Sequence, residues 1–194
     1  MGSICGLGRA SGRRLISMVL IDANTLLLLI NPDAAVPNDA SGKQITFAKE
    51  RVDGLIQDLS KQKQKIIIPT PVLSEVFVRT DYNSAVSYVE KFKKDRNFRV
   101  EPFCDRAALE VALMTRKAIG NGDKRDGSSE TWAKVKYDRQ IIAIAAVHRV
   151  KTIYSDDGNL SSFAISNGFK VIGIGELPIP IENAQLDLIP ISNA

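Results

Sequence analysis

The length, composition and charge of the chain exclude several classes of protein: 194 residues, 44% of them hydrophobic and 25% charged, suit one globular domain with a full core and leave little for a second. Two cysteines, Cys5 and Cys104, exclude a disulfide framework and a cysteine-based zinc site and favour a reducing, cytoplasmic location. No apolar stretch approaches the roughly 18 residues of a membrane span, and the net charge of +4 permits a nucleic-acid partner without requiring one.

Composition divides the chain into three parts. Residues 1–17 are rich in Gly, Ser and Arg and lack the apolar core of a secretory signal, so we set them aside as a leader. Residues 18–176 carry the regular elements and are predicted to form one domain. Residues 177–194 form a Pro-containing tail that we expect to wrap the body or lie loose.

The first half of the domain alternates short apolar runs with helical spacings. The run at 65–69 is continuously apolar, which is typical of a strand buried on both faces. The residues predict a strand at 19–22, a helix at 25–30, a loop at 31–43, an amphipathic helix at 44–61, a strand at 65–69 and a helix from 70.

The second half continues the alternation and contains one helix that is apolar nearly all round. Such a helix is predicted to lie in the middle of the domain. The predicted elements are helices at 83–95, 105–119, 137–150 and 160–166, strands at 99–103, 152–155 and 169–174, and a polar, Gly-rich loop at 120–130. The alternation predicts an α/β fold, a three-layer α/β/α sandwich with a central, mostly parallel sheet.

Acidic residues recur where an apolar strand ends or an apolar helix begins. Asp22 closes the first strand, Glu75 follows the 65–69 run, and Asp138 heads the apolar helix. Asp156 and Asp157 follow the strand at 152–155. Ligands of open α/β sheets bind at the carboxyl edge, and several carboxylates that meet there repel one another unless a divalent cation neutralises them. The sequence therefore predicts a metal site.

Four local patterns, in chain order, resemble the PIN domain and specifically the VapC-like toxin ribonucleases. They cover about residues 19–174, and each alone is a weak signal. The patterns are Ile21-Asp22-Ala23-Asn24, Ile68-Pro69-Thr70-Pro71-Val72-Leu73-Ser74-Glu75, Tyr137-Asp138-Arg139-Gln140-Ile141-Ile142-Ala143-Ile144-Ala145 and Thr152-Ile153-Tyr154-Ser155-Asp156-Asp157.

The resemblance implies a PIN-like fold and a Mg²⁺- or Mn²⁺-dependent ribonuclease. It implies Asp22, Glu75, Asp138 and Asp157 as catalytic metal ligands, with Asp156 as an additional acid. It further implies a homodimer, a small antitoxin protein as partner, and RNA as substrate. Divalent cations suit this role because they prefer oxygen ligands, acidify bound water and stabilise charge on a phosphate.

Each acid also has a structural alternative. Asp22 suits a helix cap, Glu75 a solvated helix face, and Asp138 a favourable place at a helix N-terminus. Asp156 and Asp157 are followed by Gly-Asn, which is ordinary turn chemistry. Two auxiliary residues accompany the acids: Asn24 is placed to orient a ligand or a water, or to form a turn, and Ser155 to support the phosphate or orient an acid.

Positive and aromatic side chains surround Asp138. Lys134, Lys136 and Arg139 are predicted to contact RNA phosphates. Trp132 is equally suited to stacking on a base and to a place in the core or a dimer contact.

Two other functions compete with the nuclease prediction. The Asp22 motif resembles that of haloacid dehalogenase-like phosphatases, but the general-acid position two residues later is Asn24, which cannot transfer the proton. That hypothesis also leaves Glu75 and Asp138 without a role. The second alternative is a PIN-like scaffold that binds RNA or protein without cutting, and the presence of all four acids argues against it.

Overall fold

The computed structural model describes residues 17–180, apart from residues 32 and 40. Most of the predicted leader and the end of the predicted tail, residues 1–16 and 181–194, lie outside the described residues. The strands are β1 (Met18–Ile21), β2 (Lys65–Pro69), β3 (Phe98–Glu101), β4 (Thr152–Tyr154) and β5 (Lys170–Ile172).

Seven helices connect and cover these strands in the described part of the chain. They are α1 (Ala23–Ile30), α2 (Ala48–Lys61), α3 (Thr70–Val76), α4 (Tyr82–Lys94), α5 (Asp105–Gly120), α6 (Trp132–Val147) and α7 (Gly158–Ser166). Short 3-10 turns follow at Phe77–Arg79 and Ile174–Glu176.

The five strands form one sheet in the order β3-β2-β1-β4-β5, and every pair is parallel. The sheet is therefore fully parallel, which confirms the predicted α/β architecture. Chain order reverses between β1 and β4, because β2 and β3 extend to one side of β1 and β4 and β5 to the other. Such a switch point opens a crevice at the carboxyl ends of its two strands.

The centre of the sheet is fully buried because helices cover both faces. Leu20 in β1, Ile67 in β2 and Ile153 in β4 are all 0% exposed. Near-continuous aliphatic strands are expected for parallel sheets of this kind. The inner residues of α6, including Ile142 and Ile144, belong to the same core. The rigid core fixes where β1 and β4 deliver the side chains that follow them.

Helix α6 begins at Trp132, five residues before the predicted start at 137. Thr131 caps it, because its Oγ1 accepts a hydrogen bond of 3.3 Å from the backbone N–H of Lys134. Charged residues, among them Lys134 and Lys136, interrupt the first turns, and the continuous apolar run begins only at Ile141, so the true start was missed. The prediction that Asp138 lies at the helix N-terminus was therefore wrong, since Asp138 lies in the second turn.

Candidate functional site

Asp22 follows β1 at the switch point and is 3% exposed. One carboxylate oxygen accepts a hydrogen bond of 3.0 Å from the Thr25 backbone N–H, which caps α1. The other accepts a 2.5 Å hydrogen bond from the hydroxyl of Ser155. Burial raises the pKa of Asp22 to about 6, although these hydrogen bonds act in the opposite direction. Both the predicted cap and the predicted place at the sheet edge are present.

Ser155 links two of the predicted acids. It follows β4, is 2% exposed, and donates its hydroxyl proton to Asp22. The same oxygen accepts a 3.1 Å hydrogen bond from the backbone N–H of Asp157. A single hydroxyl therefore fixes the carboxylate after β1 relative to the turn after β4.

Asp157 caps α7 with one oxygen and meets a cation with the other. Its Oδ1 accepts 2.9 Å hydrogen bonds from the backbone N–H groups of Asn159 and Leu160. Its Oδ2 lies 2.9 Å from Lys134 Nζ. Burial acts to raise the pKa of Asp157, but the backbone donors and the ammonium outweigh it, so the pKa lies below its ordinary value.

Lys134 bridges Asp157 and Asp138. Its Nζ lies 3.0 Å from Asp138 Oδ1, an i, i+4 pair on α6. Asp138 is 4% exposed, and its Oδ1 makes no hydrogen bond of good geometry with any described residue. Burial raises the pKa of Asp138 to about 6; Lys134 opposes this, while the charges of Asp157 and Glu75 add to it. The ammonium is the counter-ion of both acids.

Glu75 and Asn24 lie at the exposed side of this group. Glu75 is exposed on α3, and its charge helps to raise the pKa of Asp138, so the two carboxylates act on one another. Asn24 is exposed in the first turn of α1. The role of Glu75 as a metal ligand and that of Asn24 in orienting a ligand or a water stay predictions.

Asp156 diverges from Asp157, its neighbour in the chain. Its Oδ1 accepts a 3.0 Å hydrogen bond from the backbone N–H of Ile174, beyond β5. Its Oδ2 is buried without a hydrogen-bond partner among the described residues. Burial raises the pKa of Asp156, and its charge contributes to raising that of Asp22. Asp156 thus influences the acids electrostatically from the β5 side.

Arg139 does not lie where its predicted RNA contact requires. Its side chain is 0% exposed, with hydrogen bonds of 2.9 Å to Thr115 Oγ1 and 2.8 Å to the Lys124 carbonyl. Its guanidinium lies 5.4 Å from the ring centroids of both Trp132 and Phe163. The position of Arg139 next to Asp138 in the sequence predicted a phosphate contact. The Arg139 side chain instead faces inward and binds the loop before α6. We therefore correct its assignment to a structural one.

Lys136, another predicted RNA contact, is more accessible than Arg139. Lys136 is exposed, with its Nζ 5.8 Å from the centroid of the Trp132 ring, and Lys124 Nζ lies 5.2 Å from the same ring. Tyr137 hydrogen-bonds through its hydroxyl to the Pro71 carbonyl and lies 2.5 Å from Ser74 Oγ, so it ties α6 to α3. Sequence reasoning missed the Lys134 bridge; the i, i+4 spacing to Asp138 was its one available signal.

The donor chemistry of this group fits a hard divalent cation, and its arrangement requires one adjustment. The acids offer carboxylate oxygens, the ligands that Mg²⁺ prefers, and burial raises the pKa of Asp22 and Asp138 although hydrogen bonds and Lys134 oppose it. Within residues 17–180, however, no three acidic, His or Cys side chains are grouped closely enough to hold a metal ion as they stand. Lys134 lies between two of the acids, so its ammonium has to leave before a cation binds both.

Similarity to known proteins is found at the level of structure. No family model matches the chain, and no curated protein matches its sequence. Solved structures do resemble it. One is VapBC2 from Rickettsia felis bound to a DNA fragment from their promoter, with a TM-score of 0.51 and 13% identity over 80% of this chain and 98% of that one.

Two further structures agree with the first. DNA-bound VapBC from Salmonella typhimurium has a TM-score of 0.51 and 14% identity over 82% of this chain and 99% of that one. VapBC-1 from nontypeable Haemophilus influenzae has a TM-score of 0.50 and 10% identity over 81% and 98%. At these identities the likeness concerns the fold, and the described chain therefore has a PIN-like fold similar to chains of VapBC complexes.

Among the described residues, no helix combines the length and apolarity that crossing a membrane requires.

Proposed function

We propose that the protein is a Mg²⁺- or Mn²⁺-dependent endoribonuclease, the toxin of a type II toxin–antitoxin pair. The observation that carries this proposal is the connected group Asp22–Ser155–Asp157–Lys134–Asp138 at the switch point of the sheet. Buried carboxylates with raised pKa values are costly for the fold, and such clusters are enriched at functional sites. The similarity to VapBC structures supports the same class.

Asp22, Asp138 and Asp157 are the residues that would hold the cation, with Glu75 completing the group from the exposed side. When bound, the cation supplies an acidified water and stabilises charge on the phosphate. Ser155 keeps Asp22 and Asp157 in register through its two hydrogen bonds. Asp156 adds negative charge from the β5 side and completes the predicted set of acids.

Lys134 has two roles in this proposal. In the structure it neutralises Asp138 and Asp157, which limits their repulsion. Released from them, the same ammonium is available to an RNA phosphate next to the acids. Lys136, exposed on the same helix, would extend this positive surface.

The solved structures that the chain resembles support one of the proposed partners. Those structures are VapBC complexes, and two of them contain DNA. By analogy with these complexes, we propose a small antitoxin protein as partner. The homodimer, the RNA substrate and the cytoplasmic location are carried over from the family resemblance and stay predictions.

RNA cleavage tests the proposed function. The purified protein is incubated with a mixture of structured and single-stranded RNAs in Mn²⁺, in Mg²⁺ and in EDTA. We expect cleavage in either metal, none in EDTA, and at least a 100-fold loss in Asp22→Asn and Asp138→Asn, because each removes a ligand charge. Asp58→Asn, the same substitution at an exposed acid on α2 outside the site, is the matched control and should retain cleavage.

Two outcomes would reject this function. Equal cleavage by the wild type and both aspartate variants would place the chemistry elsewhere or in a contaminant. RNA binding without cleavage in any metal would favour the scaffold alternative.

A further inference from the structure

A pocket of about 400 Å³ opens beside Asp138, between α7 and the loop over residues 121–131. The proposed chemistry uses only its inner edge, because Asp138 is the single predicted acid that lines it. The rest of the lining comes from elements without a role so far. The loop contributes Arg125, Asp126 and Ser129, and α7 contributes Asn159, Ser162 and Phe163.

The loop wall of the pocket is held in place by several hydrogen bonds. Buried Arg139 donates to the Lys124 carbonyl at 2.8 Å. Asp123 accepts 2.9 Å hydrogen bonds from the backbone N–H groups of Arg125 and Gly127. Asn159 on α7 donates its amide to Glu130 Oε1 at 3.0 Å, which ties the two walls together. These hydrogen bonds give the pocket defined walls.

The residues that line the pocket favour an uncharged ligand that has an aromatic face and hydrogen-bonding groups. The lining carries one guanidinium, Arg125, and two carboxylates, Asp126 and Asp138, and Asp138 is paired with Lys134, so the pocket has no excess of positive charge to hold a free phosphate. Phe163 supplies an aromatic surface, and serine hydroxyls and the Asn159 amide supply hydrogen-bonding groups. The volume lies in the range of small-molecule sites. A nucleobase with its ribose has this combination of an aromatic face, hydrogen-bonding edges and no charge.

We propose that this pocket binds the base and ribose of one RNA nucleotide adjoining the scissile phosphate. The inference rests on the proposed function, because it places the neighbouring phosphate at the acids around Asp138. The pocket then discriminates between bases at one position next to the cut, by stacking and by hydrogen bonds to the base edge. Recognition of the target by this position is a property of the 121–131 loop and α7.

Ser162→Phe tests the pocket by filling it. Ser162 lines the pocket, is exposed, and uses its hydroxyl only for a 2.8 Å hydrogen bond to the Gly158 carbonyl in its own helix. Ile165→Phe is the matched control, because Ile165 is exposed on α7 and does not line the pocket. If Ser162→Phe does not fold by circular dichroism, Ser129→Phe fills the pocket from the loop.

The first measurement is binding of adenosine, guanosine, cytidine and uridine in EDTA, by saturation-transfer NMR. We expect at least one nucleoside to bind the wild type and Ile165→Phe, and binding to fall at least 10-fold in Ser162→Phe. Inorganic phosphate should not compete. Because no metal or cleavage is involved, this result is independent of whether the protein cuts RNA.

The second measurement is cleavage of short RNAs that differ in the bases flanking the cut. Ser162→Phe should raise KM about 10-fold and weaken the base preference at one flanking position, with kcat changed less than 3-fold. The inference is overturned if no nucleoside binds, if phosphate competes for the site, or if both variants bind and cleave like the wild type. Absence of cleavage by the wild type together with nucleoside binding would reject the nuclease and leave a nucleoside pocket.

Discussion

Asp22 makes hydrogen bonds that stabilise the fold, but its burial disfavours the charged form of its carboxylate. It caps α1 and accepts the Ser155 hydroxyl, yet burial raises its pKa from 3.8 to about 6. A residue placed only to cap a helix gains nothing from such burial, since exposed carboxylates cap equally well. The raised pKa is consistent with a carboxylate whose negative charge a bound cation would stabilise, and it has a measurable consequence in the metal-free protein.

Asp22 should make the metal-free protein less stable as pH rises from about 4 to above 6. Its folded-state pKa is raised, so its contribution is complete below the unfolded value of 3.8 and is lost as pH passes about 6. The loss is on the order of 3 kcal/mol. Urea unfolding in EDTA at pH 4 to 7 measures it, as the difference between the wild type and Asp22→Asn. A difference that does not change with pH would show that Asp22 titrates normally.

Lys134 should compete with divalent cations for Asp138 and Asp157. Lys134→Met removes the ammonium that lies 2.9 and 3.0 Å from these acids. We expect Mn²⁺ to bind the variant about 10-fold more tightly, which corresponds to about 1.4 kcal/mol, because the cation no longer has to displace the ammonium from its two ion pairs. Isothermal titration with Mn²⁺ measures the affinity, and Lys136→Met is the control with equal loss of charge. Unchanged or weaker Mn²⁺ binding by Lys134→Met alone would mean that the lysine does not occupy the cation's place.

Sequence reasoning reached the strand-end acids and missed how they are connected. Asp22 was identifiable because it directly follows an apolar run at the end of a strand. Asp157 lies three residues after β4, and the resemblance to the PIN pattern singled it out over Asp156. The Lys134–Asp138 pair requires a helix that begins at Trp132, and the predicted start lay five residues too late. Arg139 was misassigned because arginine is almost never fully buried, and its partners come from the distant Thr115 and Lys124.

At the scale of elements, α6 connects the acids to the loop before it. Its outer turns present Lys134 and Asp138 to the site, while Arg139, the next residue along, turns inward and holds the loop at the Lys124 carbonyl. A polar, Gly-rich loop was predicted at 120–130. Part of its hydrogen bonding is local, to Asp123, but the contact from the buried guanidinium of Arg139 could not be obtained from local composition.

Arg139→Gln should release the 121–131 loop. The variant loses the hydrogen bonds to Thr115 and Lys124 and the contacts with Trp132 and Phe163. We expect a loss of about 2–4 kcal/mol in the free energy of unfolding, as for other broken buried networks, and faster proteolysis within the loop. Arg116→Gln, an exposed change on α5, is the control. Identical proteolysis of the two variants would show that the loop does not depend on Arg139.

At the scale of the whole molecule, the architecture was predictable because it rests on alternation alone. Apolar runs separated by amphipathic helices predict a parallel sheet with covered faces, and all strand pairs of the sheet β3-β2-β1-β4-β5 are parallel. The order itself was not predicted, since strand adjacency depends on long-range packing. The switch point between β1 and β4 explains why acids far apart in the chain act together.

We expect the predicted homodimer to use the apolar surface of α5. Leu109 and Leu113, one turn apart, are 67% and 60% exposed. The double variant Leu109→Ser/Leu113→Ser should therefore shift the protein from dimer to monomer in light scattering after size exclusion. Ile165→Ser, which removes an exposed apolar residue from α7, should leave the dimer intact. A monomeric wild type at micromolar concentration would contradict the expected assembly.

The whole proposal depends on the acids at the switch point binding a divalent cation for RNA cleavage. The decisive measurement is RNA cleavage by the wild type, Asp22→Asn and Asp138→Asn as Mn²⁺ is titrated from zero, alongside direct Mn²⁺ binding to each protein. We predict that wild-type cleavage rises in parallel with Mn²⁺ occupancy and that both variants lose occupancy and cleavage together. Cleavage that persists in EDTA, or variants that bind Mn²⁺ and cut RNA as the wild type does, would contradict it.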